Sequence, residues 1–337
     1  MAQLIGVFGV LAVLAFFLTG WVRHYALIRL LDVPNARSSH TQPTPRGGGL
    51  AIVLALAIAL PLGAWQGLIP VSLGLALFAC VPLAVIGLID DHGDVPARWR
   101  FLVQLLVAGW VLFIFGGADH LRVAGRLIFL GWLGIPLGIL FLTWLLNLFN
   151  FMDGIDGIEG VEVSFIAFAA SCLLVGWSDP SHSSEALVLI ATFGATVGFL
   201  VWNWPPARIF MGDVGSGVLG FLLASIMLYS SLTDGLSLVV WIILSGIFLV
   251  DATLTLVIRL FRGERWYEAH RSHAYQHASR RYGSHRVVTL GVLFINFCWL
   301  FPLASAAFFW PQYELWLLSI ALAPLLYVAY RLGAGRP

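Results

Sequence analysis

"WLGIPLGILFLTWLLNLFNFMDGIDG", Trp132–Gly157, is an apolar run that ends in two carboxylates interleaved with glycines. Its charge-free part, Trp132–Phe151, is as long as the about 20 residues a helix needs to cross a hydrocarbon layer about 30 Å thick. Similar windows recur along all 337 residues, of which 60% are hydrophobic and only 10% charged, with a mean hydropathy of +0.93. That balance describes an all-α, polytopic integral membrane protein and excludes a soluble globular enzyme.

Eleven such windows are predicted as spans: Leu4–Val22, Gly48–Gln66, Val71–Ile89, Phe101–Ala118, Trp132–Phe151, Val163–Ser178, Ala186–Trp204, Val214–Ser231, Leu236–Ile258, Val287–Trp310 and Leu315–Tyr330. Dividing Gly48–Ile89 differently gives ten. The first window reads as an anchor rather than a cleaved signal, because nothing basic precedes it and Arg23 follows it. With the N-terminus on the periplasmic side, loops 23–47, 90–100, 152–162, 205–213 and 259–286 and the C-terminus all face the cytoplasm. Lysine is absent, and 16 of the 18 arginines fall on that side, leaving only Arg122 and Arg126 outside. The asymmetry is the one expected of the positive-inside bias for an odd number of spans. Cys80, Cys172 and Cys298 each lie within a window and suggest no disulfide or metal framework. The net charge of +1 says nothing useful about partners; no soluble domain is legible, and no nucleic-acid partner is expected. Residues 1–337 thus read as a single transmembrane domain whose working surface is its cytoplasmic loops.

Four acidic clusters sit at that face: "LIDDHGD" with Asp90, Asp91 and Asp94; "MDGIDGIEG" with Asp153, Asp156 and Glu159; "FMGDVGSG" with Asp213; and Asp251 inside the ninth window. A carboxylate at membrane depth is costly unless paired or used. Asp251 is therefore either functional or in an ion pair, with Arg259 two helical turns on as the candidate partner. If Asp153 and Asp156 are helical, their spacing of three puts both on one face with Cβ atoms about 5–6 Å apart. A shared divalent cation or cationic substrate group would relieve their repulsion, with Gly154 and Gly157 admitting a ligand to the backbone; an Asp/Gly turn capping the next helix is the plainer alternative. "GDVGSG" is a glycine-rich turn leading into an apolar helix, which offers N–H groups and a favourable dipole to phosphate. It lacks the Gly-Lys-Ser/Thr ending of a P-loop. Asp213 beside it suits Mg²⁺, which takes one or two carboxylates together with substrate oxygens. A tight helix cap would leave the same pattern.

Two loops are basic. "RLFRGERWYEAHRSHAYQHASRRYGSHR", Arg259–Arg286, holds seven arginines and four of the nine histidines, with His270, His273 and His277 at the i, i+3, i+7 spacing of a helical face. Interleaved arginines oppose a bound transition metal, and no HExxH pattern is present, so anion binding fits better; a charged loop lying on an anionic membrane surface is the alternative. "DVPNARSSHTQPTPRGGGLA" places Arg37, His40 and Arg46 with a triple glycine at the edge of the second window, where a phosphate on a lipid chain could be gripped, or where a turn simply carries positive anchors. All these signals share one membrane face and all favour phosphate or divalent metal. They point to Mg²⁺-dependent phosphoryl chemistry on one lipid-borne and one soluble phosphate. A transporter of a phosphorylated lipid or nucleotide sugar would also hold intramembrane charge, but it predicts acids near the midplane and paired broken helices in two halves, whereas the acids here sit at span ends and no repeat is legible.

"DVPNARSSHTQPTPRGGG", "IDDHGDVPARWRFLVQ", "NLFNFMDGIDG", "FMGDVGSGVLG" and "HRSHAYQ" occur, in order, in a pattern that resembles the bacterial polyprenyl-phosphate N-acetylhexosamine-1-phosphate transferases, and more distantly the phospho-muramoyl-pentapeptide transferases. The likeness runs from about Asp32 to Gln276, and the form of the histidine motif is most similar to enzymes that start O-antigen synthesis. The resemblance implies transfer of a sugar 1-phosphate from a UDP-N-acetylhexosamine to undecaprenyl phosphate with release of UMP, at the cytoplasmic face of the bacterial inner membrane, with Mg²⁺ or substituting Mn²⁺, in a chain compatible with a homodimer. It further implies Asp213 as metal ligand, Asp90 as the base that deprotonates the acceptor phosphate, and Asp91, Asn150, Asp153 and Asp156 as supporting site residues. Arg37, His40 and Arg46 would receive the lipid phosphate, and His270, Arg271 and His273 the nucleotide diphosphate. Arg98 stands where relatives often carry Lys, which keeps the charge and changes the geometry. The histidine motif lacks the contiguous triple of the muramoyl-pentapeptide enzymes, which argues against a pentapeptide donor.

Overall fold

The computed structural model describes residues 2–34, 42–177, 183–264 and 270–336. Helix α1 spans Ala2–Arg29 and is followed by a two-residue antiparallel pair, β1 (Leu31–Asp32) and β2 (Thr44–Pro45). Helices α2 (Gly49–Trp65), α3 (Val71–Leu77), α4 (Cys80–His92) and α5 (Ala97–Phe115) lead to a hairpin of β3 (His120–Val123) and β4 (Arg126–Phe129). The long helices α6 (Gly134–Met152), α7 (Ile158–Trp177), α8 (Ser183–Asn203) and α9 (Asp213–Leu232) follow. The chain closes with α10 (Leu238–Leu244), α11 (Gly246–Phe261), α12 (Ala274–Tyr282), α13 (His285–Ile295), a π-helical turn at Asn296–Leu300, α14 (Phe301–Phe309) and α15 (Glu314–Leu332).

Among the described residues, nine helical segments are long and apolar enough to cross a membrane, or ten when the pair α10 and α11, bent by 83°, counts as one span. Of the eleven expected windows, Gly48–Gln66 is the one outside that count: it is helical over 17 residues, the short end of what spans a bilayer. Over their described residues the other windows coincide with helices for most of their length.

Burial grades the bundle from centre to edge. The apolar window of α9 is 89% buried and that of α15 only 17%, so α9 is an axial helix and α15 a peripheral one. Close packing around that axis depends on missing side chains. Gly194 and Gly198, four apart on α8, sit against the Phe8 and Ala12 carbonyls of α1, the small-xxx-small contact that lets membrane helices approach. A Cβ on Gly49 would collide with the Cα of Gly215, which brings the start of α2 onto the start of α9.

The ends of α4, α6, α8 and α11 and the starts of α2, α5, α7, α9 and α13 meet at one end of the bundle. There Gly48 and Gly49 donate backbone N–H groups to the carbonyls of Phe210 and Met211, both at 2.8 Å, and Phe210 N–H returns to the Pro45 carbonyl at 2.8 Å. The triple glycine is therefore spent on strand-like pairing with the loop before α9. At the opposite end the β3–β4 hairpin is fastened by Arg122 to Asp234 (2.7 Å) and by the Ala124 N–H to Glu314 Oε2 (2.8 Å).

Candidate active site

Asp213 is the first residue of α9, and its carboxylate is held on both oxygens. Asn150 Nδ2, from the last turn of α6, donates to Oδ1 at 2.9 Å and also reaches Ser216 Oγ at 2.8 Å. Arg100 Nη1, from the first turn of α5, donates to Oδ2 at 3.3 Å and to Asp90 Oδ2 at 2.6 Å. Asp90 Oδ1 accepts from the Val95 N–H at 2.7 Å, which folds the loop after α4 around it. The Asp213 side chain keeps 38% of its surface exposed, against 9% for Asp90 and 2% for Asp91. Asp213 is the carboxylate of this group that opens to solvent.

Asp91, adjacent in sequence to Asp90, does different work. Its two oxygens accept from the N–H groups of Asp213 (3.1 Å) and Val214 (3.2 Å), so a carboxylate at the end of α4 closes the N-terminus of α9. Helix N-termini have unpaired donors and a positive dipole end, and an Asp satisfies both. Gly212 makes this possible: its φ is +78°, and a Cβ there would lie 2.7 Å from Asp91 Oδ2. The reading of "GDVGSG" as a phosphate cradle is corrected here, since the N–H groups it would offer are already taken. Arg46 supports the arrangement by donating from Nε (3.1 Å) and Nη2 (2.7 Å) to the Asp91 carbonyl.

The acidic turn after α6 is likewise not helical. Asp153 is the C-cap of α6, with φ −84° and ψ 47°, so the shared-face geometry with Asp156 is corrected. Burial pushes the Asp153 carboxyl well above the usual range, and the charges of Asp213, Asp91 and Asp156 add to the effect. Asp156 turns away to bind structure: Oδ2 accepts from the Ala207 N–H (3.0 Å), Oδ1 pairs with His285 Nδ1 (3.2 Å), and its carbonyl accepts from Thr289 Oγ1 (2.9 Å). It joins the turn to the loop before α9 and to α13. Glu159 is fully buried at the start of α7, and among the described residues neither of its carboxylate oxygens has a hydrogen-bond partner.

The histidine segment approaches from the other side. Asp251 on α11 accepts from the N–H groups of Ala274 and Tyr275, both at 2.8 Å, and lies 3.3 Å from His273 Nδ1, so it caps α12 and its role is structural. Arg259 pairs with Glu264 (2.9 Å) and reaches Ser272 Oγ (3.4 Å). Because α12 begins at Ala274, the three histidines do not line one helical face. His270 and His273 stack with ring centroids 4.9 Å apart, while His277 faces the Arg336 carbonyl. His273 is buried as the N-cap. His270 Nδ1 accepts from Ser272, so the neutral ring carries its proton on Nε2. Burial, with help from His273 and Arg259, lowers its pKa to about 4. Arg271, half-buried, offers its carbonyl to Arg280 Nη2 at 3.0 Å. Tyr275 closes the circle by donating its hydroxyl to the Phe151 carbonyl (3.1 Å), across Gly154, where a Cβ would collide with that hydroxyl.

Asp90, Asp91, Asn150, Asp153, Asp213 and Arg46 are thus brought into one centre, with the His270 segment packed against its acidic turn. Arg37 and His40 lie outside the described residues. Arg98 is exposed, its guanidinium 5.8 Å from the centre of the Trp99 ring, and Arg100 is the arginine that enters the centre. Two residues along a helix is about 200° of rotation, so "ARWR" holds one inward and one outward arginine, and only packing chooses between them. Among the described residues no group of three His, Cys, Asp or Glu is arranged to hold a metal by itself. A cation here would need oxygens from a substrate to complete its shell.

Residues 73–231, from α3 to the last turn of α9, match the profile of glycosyl transferase family 4. The chain is 30% identical over 305 residues to a Bacillus subtilis (strain 168) protein named "Probable undecaprenyl-phosphate N-acetylglucosaminyl 1-phosphate transferase", covering 88% of this chain and 83% of that one. It is 30% identical over 275 residues to the "Phospho-N-acetylmuramoyl-pentapeptide-transferase" of Halalkalibacterium halodurans, covering 74% of this chain and 81% of that one. A third relative is the "Decaprenyl-phosphate N-acetylglucosaminephosphotransferase" of Mycolicibacterium smegmatis, 29% identical over 238 residues, with 64% and 57% covered. The matched profile contains the acidic centre and stops before the histidine segment.

Proposed function

Since the chain belongs to glycosyl transferase family 4 and is a multi-pass polyprenyl-phosphate sugar-1-phosphate transferase, we propose that it moves an N-acetylhexosamine 1-phosphate from a UDP-sugar to undecaprenyl phosphate, releasing UMP. The observation that carries this reading is the Asp213 carboxylate, solvent-facing at the head of α9, fixed by Asn150 and Arg100 beside Asp90. Among the described residues, the carboxylates of Asp90, Asp91, Asp153 and Asp213 have Arg46 and Arg100 as their close cations. That excess of negative charge suits one Mg²⁺, with Asp213 as protein ligand and substrate phosphates supplying the remaining oxygens.

In the proposed reaction an oxygen of the acceptor phosphate attacks the sugar-bearing phosphorus of the donor, and the bond to the UMP oxygen breaks. The second ionisation of a phosphate monoester has a pKa of about 6, so the nucleophile is already ionised near pH 7. Asp90 then orients the acceptor more than it removes a proton. Arg100 would stabilise the charge that develops on the transferred phosphate, and His270 Nε2–H would serve as a neutral donor to the nucleotide diphosphate. Bound Mg²⁺ would neutralise the donor diphosphate. The centre would face the cytoplasm, where UDP-sugars are available, and the product would start a lipid-linked O-antigen or another surface polysaccharide. The test is UMP release by purified protein in detergent, given undecaprenyl phosphate, Mg²⁺ and a panel of UDP-N-acetylhexosamines that includes UDP-N-acetylmuramoyl-pentapeptide. Release that needs both lipid and metal supports the transferase and ranks its donors. Release with the pentapeptide donor alone would replace the proposed donor class, and silence over the panel from folded protein would sink the reading.

A further inference from the structure

Beyond α15 the chain doubles back onto the histidine segment. Gly333 and Gly335 hold φ of +97° and +71°, so the helix ends in the tight left-handed turn that glycine favours. The Gly335 N–H then donates to the Ser272 carbonyl at 2.7 Å, and His277 Nε2–H reaches the Arg336 carbonyl at 3.2 Å. Ala334 between them is fully buried. On the other flank a Cβ at Gly335 would lie 2.6 Å from the Ile258 Cβ and 3.0 Å from the Thr255 carbonyl, both on α11. The stretch is wedged between α11 and the segment that carries His270 and Ser272.

His270–Ser272 has no secondary structure of its own. It is tied by Arg280 Nη2 to the Arg271 carbonyl, by Arg259 to Ser272 Oγ and by the strap at the Ser272 carbonyl, with the Asp251 cap beginning one residue later. We infer that Gly333–Arg336 is a positioning strap, which fixes the histidine segment on α11 and, through Tyr275, sets it against the acidic turn. Loss of the strap at the Ser272 carbonyl is expected to open this irregular segment locally, without unfolding the bundle. The functional consequence rests on the proposed reading of that segment as the donor-diphosphate site: a loosened strap weakens the donor and leaves the lipid acceptor alone.

The contacts with the segment use the strap's backbone, which separates them from side-chain effects. Gly335→Val introduces the colliding Cβ in a backbone conformation valine avoids, removal of residues 333–337 deletes the strap, and His277→Ala removes one of its bonds. Arg336→Ala keeps the carbonyl and serves as the control. In hydrogen exchange of the full-length protein in detergent, the first three variants are expected to exchange residues 270–282 about tenfold faster, with residues 205–216 unchanged. The KM for the UDP-sugar is expected to rise about fivefold or more while that for undecaprenyl phosphate and kcat hold. If exchange in 270–282 is unchanged in the truncation and in His277→Ala, or rises equally throughout the protein, the strap is overturned. Faster exchange with an unmoved donor KM keeps the strap and removes the donor assignment.

Discussion

Asp90 and Asp91 are neighbours in sequence and opposites in role, because successive positions on a helix point about 100° apart. Asp90 faces Arg100 and the centre, and Asp91 faces the α9 N-terminus across 122 residues of sequence. Substitution should separate them. Asp213→Asn is expected to abolish UMP release while the melting temperature stays close to wild type, because an amide still accepts from Asn150. Asp91→Ala should lower stability by about 1–2 kcal/mol, the typical cost of losing an N-cap, seen as a lower melting midpoint. Retained turnover in the first variant at saturating Mg²⁺ would remove Asp213 as a ligand, and an unmoved midpoint in the second would remove the capping role. His270 gives a pH signature. Its folded pKa of about 4 lies below the ordinary imidazole value of 6.5, so the unfolded chain binds the extra proton first, and the stability contributed by neutral His270 falls as pH drops from about 6.5 towards 4. The midpoint of wild type should therefore fall more steeply than that of His270→Gln over this range.

Helices meet at this centre because glycines let them. The Gly49–Gly215 contact brings α2 onto α9 without intervening side chains, so Gly215→Val should force the two apart, at a cost of about 1–3 kcal/mol or more from overpacking. Size-exclusion profiles of the detergent-solubilised variant would show the loss of monodisperse protein; a wild-type profile and midpoint would mean the contact gives way freely. Two helices of the centre also receive their caps from other helices: α9 from Asp91 on α4, and α12 from Asp251 on α11. In each case a buried carboxylate that looks costly in sequence meets backbone donors that would otherwise be unpaired.

For the molecule as a whole, the acidic turn, the glycine loop and the histidine segment gather at one end and the β3–β4 hairpin at the other. The arginine asymmetry predicts that the first end faces the cytoplasm. With Cys80, Cys172 and Cys298 replaced, a single cysteine at Asp94 should resist a membrane-impermeant maleimide in intact cells and react after permeabilisation, and one at Leu127 should react in both. The reverse pattern would invert the topology. The sequence by itself determined the membrane class, the position of nearly every helix and the residue types of the centre, because hydropathy over about 20 residues and clustered carboxylates are local properties. It did not determine which of Arg98 and Arg100 enters the centre, that Asp91 and Asp251 are caps, or that "GGG" and "GDVGSG" serve packing and backbone pairing. Those depend on what lies across a helix interface from each residue, and only the tertiary structure brings residues more than a hundred positions apart within hydrogen-bonding distance.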